Sequence, residues 1–228
     1  TADLIEKWFY NNKIKSKRSK NNVWAKNKFF ENKKPTILLN SHHDTVKPNK
    51  SYTRDPFNPE IVNNKLYGLG SNDAGGAIVS LMSVFKYFYK TPDLNFNIII
   101  AATAEEEIAG ENSIRSLLKE LPEINFAIVG EPTLMNLAIA EKGLVVFDGK
   151  IIGTASHAAH ENKNNVINKL PEIINWFKDF KFDKVSNVLG PVKLTITQIY
   201  AGSQHNVIPS EVEIVVDVRV NELYSNEE

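Results

Sequence analysis

Four short stretches combine histidine and carboxylates at spacings that could hold a divalent cation and activate water. In "ILLNSHHDTV" (37–46), His42 and Asp44 are two residues apart. In extended chain such residues face the same side, so the Asp44 carboxylate can hold one imidazole nitrogen while the other meets a ligand. His43 then faces away. "YGLGSNDAGG" (67–76) sets Asp73 between two pairs of glycines. Its spacing breaks the dinucleotide fingerprint at the last glycine, and no Lys-Ser/Thr follows to make a phosphate loop. "TAEEEIAG" (103–110) places Glu105, Glu106 and Glu107 in a row, and adjacent carboxylates repel one another unless a cation or solvent relieves them. "IVGEPT" (128–133) puts Glu131 after a run too apolar to leave a lone carboxylate there cheaply. Each stretch alone also reads as structure: a polar cap on a strand, or an acidic helix start favoured by the dipole. Together they offer imidazole and carboxylate without thiolate, since the chain has no cysteine. That donor set suits a hydrolytic pair of zinc or cobalt ions.

These residues must be delivered by the elements before them. "TILLNSH", "NFNIIIAATA" and "INFAIVGEP" read as buried strands, each ending at one of the motifs. Between and before them lie helical patterns. "TADLIEKWFYNN" sets Leu4, Ile5, Trp8 and Phe9 on one face, and "GGAIVSLMSVFKYFYK" and "ENSIRSLLKEL" follow. Strands alternating with helices predict a mostly parallel α/β sheet flanked by helices, whose strand ends are where ligands bind. From about residue 143 the pattern changes. "LVVFDGKIIG", "NNVINKLPEIINWFKDF", "VKLTITQIYA" and "EVEIVVDVRV" read as β-α-β-β, the opening of a split β-α-β-β-α-β sandwich. The expected division is 1–142 and 143–228.

Lys+Arg and Asp+Glu both number 27 among 228 residues, so nothing suggests a nucleic-acid or membrane partner. The basic stretch "KIKSKRSKNN" (13–22) reads as a solvated loop and hairpin edge. No apolar run approaches the length of a membrane span, and the lack of cysteine fits the cytoplasm. Ser225 and Glu228 have capping-box spacing, which announces a helix just where the chain stops. With no initial Met either, the sequence is expected to be truncated at both ends.

The order H-x-D, G-x-x-D, E-E, G-E-P resembles the dinuclear zinc amidohydrolases. The resemblance covers nearly the whole chain. It implies a zinc-exopeptidase-like catalytic domain with an inserted ferredoxin-like lid, to which "GTASHAAH", "SQHNVIP" and "VVDVR" correspond. It makes His42 and Glu131 ligands of one metal, Asp73 a bridge beside a cis peptide to Ala74, Glu107 a ligand of the second metal and Glu106 the general base. Asp44 would orient His42, His157 would stabilise the oxyanion in a partner subunit's site, and Asn206 and Arg219 would contact substrate. The family has Asp-Glu-Glu where this chain has Glu105-Glu106-Glu107. Its C-terminal histidine, the last ligand of the second metal, has no counterpart here, His160 and His205 both lying in the lid. The implied cofactors are two divalent ions, Zn2+ or Co2+, and the implied partners a small N-acylated amino acid and a second copy joined through the lid. Within the family "LYGLGSNDAGG", "EKGLVVFDG", "LGPVKLTITQI" and "VRVNELYSNEE" look most like acetylornithine (or acetylcitrulline) deacetylases. Succinyl-diaminopimelate desuccinylases come next and a dipeptidase third. A non-enzymatic homologue that only binds or dimerises is the reading from another class.

Overall fold

The computed structural model describes residues 1–225 and 227–228, which form two compact units, Thr1–Asn136 and Leu137–Glu228. Residues 137–142, assigned to the first domain by pattern, fall in the second unit.

The first unit opens with α1 (Ala2–Asn11), followed by a hairpin of β1 (Ser16–Ser19) and β2 (Asn22–Lys26). Then come β3 (Thr36–His42), a small antiparallel pair β4 (Glu60–Val62) and β5 (Lys65–Tyr67), α2 (Ala77–Phe88), β6 (Asn97–Thr103), α3 (Ile114–Leu117) and β7 (Phe126–Val129). The sheet order is β1-β2-β6-β3-β7. β3 pairs in parallel with both β6 and β7, whereas β2 runs antiparallel to β6 and to β1. The sheet is therefore mixed rather than mostly parallel. The basic stretch folds into the expected hairpin edge, whose short turn makes β1 and β2 antiparallel, and β2 joins the sheet antiparallel to β6.

Central strands β3 and β6 are covered on both faces, which is why their sequences run apolar without alternation. On one face Phe9, Val23, Leu39, Phe85 and Ile100 join a core built with α1 and α2, where the Phe9 and Phe85 rings meet edge-on at 6.4 Å. On the other, Trp24, Leu38, Ile99 and Leu117 form a smaller cluster. Two expectations fail in detail. All four residues of β7 are exposed, because it is the sheet's edge in this unit and pairs only with β3. Leu4 is also exposed: the buried face of α1 runs through Ala2, Ile5 and Phe9. The helix expected over 111–121 is one regular turn, after which i→i−3 bonds such as Glu120 N to Leu117 O take over.

In the second unit, β8 (Gly143–Ile152), the two-residue β9 (Ser156–His157), α4 (Leu170–Asp179), β10 (Lys193–Ala201), the two-residue β11 (Val207–Ile208) and β12 (Glu211–Val220) follow in order. The long strands form an antiparallel sheet, β10-β12-β8. β12 alternates strictly. Val212, Ile214, Val216, Val218 and Val220 point into the core that Leu170, Ile173 and Phe177 of α4 help cover. Glu228 reaches back to the Ser225 N–H at 2.9 Å, half of the predicted capping box; Asn226, inside that box, lies outside the described residues.

Candidate metal centre

Sheet order brings the motifs together. His42 is the last residue of β3, the strand between β6 and β7, so the segments leaving those neighbours flank it at the same sheet end. The chain leaves β3, returns as β6 on one side, and returns again as β7 on the other. That reversal opens a crevice at the C-terminal strand ends. The end of β7 is drawn against β3 by Gly130 N donating to Asn40 O and Ser41 Oγ donating to Gly130 O, each at 2.7 Å. Asp73 arrives from the turn before α2. Gly70 holds φ 74° there, and a Cβ at Gly70 would sit 2.4 Å from the Thr45 methyl, so the turn requires glycine. The Asp73–Ala74 peptide is cis, as the resemblance implies.

The result is a convergence on one imidazole nitrogen. His42, 1 % exposed, directs Nε2 toward Asp73 Oδ1 at 3.0 Å, Glu131 Oε2 at 3.7 Å and Glu106 Oε2 at 3.9 Å. Ligand atoms of His42, Asp73 and Glu131 all lie within 4.8 Å of one another. Ligands about 2 Å from a shared tetrahedral ion sit roughly 3.3 Å apart, so this donor set fits a divalent cation. Burial pushes the His42 imidazolium down. Glu131, the Asp73 hydrogen bond, the Asp44 carbonyl and Glu106 outweigh it, and its pKa stands above the ordinary histidine value. Glu106 is raised above an ordinary glutamate, first by partial burial and then by Glu107, Asp44 and Asp73, with His42 pulling the other way.

Asp44 works differently from its expected role. His42 Nδ1 is held at 3.0 Å by the Asp44 main-chain carbonyl, while the nearer carboxylate oxygen stands at 3.5 Å, beyond a good hydrogen bond. The carboxylate instead accepts from the Glu106 and Glu107 amides, at 3.3 and 3.2 Å. A two-residue spacing predicts a shared side, but not which oxygen makes the contact. His43 does face away, with its Nε2 against Asn21 O at 2.9 Å.

Glu107 and Asp73 share the wall of a cavity of about 450 Å³, lined also by Thr45, Tyr52, Arg54 and Tyr67, a size suited to a small ligand. Sequence reasoning passed over this wall, because Arg54 and Tyr67 meet only through the fold, the guanidinium lying 4.3 Å from the ring centre. In the second unit, the β9–β11 pairing sets His157 opposite Val207, and Asn206 O accepts from Ala158 N at 2.9 Å, so His157 and Asn206 are neighbours. Arg219 lies on the exposed face of β12. There both arms of its fork meet Asp217, at 2.9 and 3.1 Å.

The chain matches the family model of peptidase family M20/M25/M40 over residues 38–223. It belongs to that family. Among curated relatives, the succinyl-diaminopimelate desuccinylase of Pelagibacter ubique is 32 % identical over 230 residues, covering 94 % of this chain. The chain spans 60 % of that relative's length. Among solved structures, an M20 metallo-carboxypeptidase from Sulfolobus solfataricus superposes with a TM-score of 0.72 at 17 % identity, covering 99 % of this chain and 67 % of that one. A dinuclear metal-binding M20 peptidase of Bacillus subtilis gives 0.59 at 18 %, covering 99 % and 58 %. These structural matches carry the fold. No helix among the described residues is long and apolar enough to cross a membrane.

Proposed function

We propose that the protein containing this M20 chain hydrolyses the amide of a small N-acylated amino acid, with succinyl-diaminopimelate as first substrate. The convergence of His42, Asp73, Glu131 and Glu106 carries the hydrolytic reading. The relatives' name supports a succinyl group over the acetyl group expected from the sequence, and acetylornithine becomes the second reading. His42, Asp73 and Glu131 would hold one divalent ion, and Asp73 and Glu107 part of a second site, with zinc or cobalt suiting the donors. Such ions supply Lewis acidity, polarising the acyl carbonyl and letting water lose a proton near neutral pH. Glu106 would take the attacking water's proton and return it to the leaving amine, and its raised pKa strengthens it in the first role, as the base. Asp44 fixes the backbone from which Glu106 and Glu107 project. We also assign His157 and Asn206 to the carbonyl oxygen and substrate, and pairing of two copies through the second unit. Arg219 would clamp a substrate carboxylate by exchanging it for Asp217.

The test is amine release from succinyl-diaminopimelate and from acetylornithine in parallel, with zinc supplied. A preference of about tenfold or more in kcat/KM for the succinyl compound is expected, corresponding to about 1.4 kcal/mol. Turnover of neither would sink the hydrolase reading, and preference for acetylornithine would overturn the choice of acyl group.

A further inference from the structure

The first of the three adjacent carboxylates turns away from the cluster. Glu105 has φ 60°, a left-handed conformation that a residue with a side chain keeps only where its surroundings enforce it. Its carboxylate folds back over its own loop, where Oε2 accepts from Asn112 N and Oε1 from Asn112 Nδ2, each at 3.0 Å. Its carbonyl accepts from Gly110 N at 2.8 Å. The space exists because residue 110 is glycine: a Cβ there would lie 2.2 Å from Glu105 Oε2. Asn112 is in turn anchored to the hairpin. Its carbonyl accepts from Asn22 Nδ2 at 2.7 Å and its side-chain oxygen from the Lys20 ammonium. Asn22, fully buried, accepts from Ala104 N at 2.9 Å through its Oδ1. The loop 104–112 is thus closed at its base, and Glu106 and Glu107 stand on the closed part with their amides against Asp44.

We propose that Glu105 is a positioning residue that aims Glu106 and Glu107 by tying the loop to Asn112. The proposal rests on the hydrolytic reading, in which those two residues are base and ligand. A third carboxylate facing the cluster would add negative charge. Turned back, it meets amide donors, and its rigidity passes to its neighbours through two peptide units. Outer contacts of this kind typically change metal affinity or activity about 10–100-fold when removed.

The experiment compares the full protein with its Glu105→Ala and Glu105→Gln variants in three readouts. These are zinc affinity by competition with a chromophoric chelator, kcat and KM on the amide substrate, and hydrogen–deuterium exchange of the 104–112 segment. Glu105→Ala should lower kcat about 10–100-fold with KM nearly unchanged, weaken zinc binding and expose the segment to exchange. Glu105→Gln keeps the length and one acceptor for Asn112 while turning an NH2 toward its other donor, so it should recover part of each loss. Wild-type kcat and exchange in Glu105→Ala would overturn the proposal. So would a Glu105→Gln as impaired as Glu105→Ala, since charge rather than the tether would then be at work. A wild type that neither binds zinc nor hydrolyses amide sinks the functional reading alone; the exchange comparison still decides whether Glu105 holds the loop.

Discussion

Replacing Asp44 by asparagine separates two jobs that one residue performs here. The bond that fixes the His42 tautomer comes from the Asp44 main chain at 3.0 Å, and the substitution leaves it in place. The carboxylate, 3.5 Å from Nδ1, is too distant to be the main hold. Zinc affinity at the His42 site should therefore change by less than about tenfold, or ~1.4 kcal/mol. The Glu106 and Glu107 amides fare worse. A hydrogen bond to a charged group contributes about 1.5–3 kcal/mol at good geometry, and these two, at 3.3 and 3.2 Å, lie at the weak end. Asparagine keeps one acceptor and presents an NH2 to the other amide, so about 1 kcal/mol of loop stability should go. Turnover should fall about 10–100-fold through the misplaced Glu106. Chelator competition reads the affinity, nitrogen chemical shifts of His42 read the tautomer, and amine release reads the rate. A wild-type rate with zinc affinity reduced more than about a hundredfold, ~2.7 kcal/mol, and an altered His42 tautomer would refute this division of labour.

Glu106→Gln should retain zinc while losing nearly all turnover, and an active variant would remove Glu106 as the base. Zinc binding needs neutral His42, whose pKa is raised by its carboxylate neighbours. Affinity should therefore fall as pH drops through that raised value, and a profile that stays flat on both sides of the ordinary histidine value would count against it. In the metal-free protein the sign reverses. The stability His42 contributes is fully present below the unfolded histidine value and is lost as pH rises through the folded one, which denaturant midpoints across that window would register. Phe9→Ala, removing a fully buried ring packed edge-on against Phe85, should cost about 3–5 kcal/mol in denaturant unfolding. A loss below about 1 kcal/mol would mean that α1 does not belong to the cooperative core.

The sequence by itself carried the chemistry of the site and the kinds of element that hold it. "TILLNSH" and "NIIIAAT" are legible as strands because burial on both faces leaves no polar alternation, and β12 because burial on one face imposes it. His42, Glu106 and Glu131 stood out because hydrophilic groups at the ends of apolar runs need a reason to be there, and Asp73 because glycines flank it on both sides. Only the tertiary structure decided what those groups face. Strand order places β3 between β6 and β7, and local patterns are blind to order because each strand's own residues look the same on either side of a neighbour. The antiparallel β2, the exposed β7 and the exposed Leu4 follow from that same assembly. Three adjacent glutamates are chemically identical in sequence. A left-handed backbone at Glu105 and the anchored Asn112 turn one of them outward, while Asp44 holds the amides of the other two. Hydrogen bonds between residues many positions apart make that distinction, and they exist only once the chain has folded.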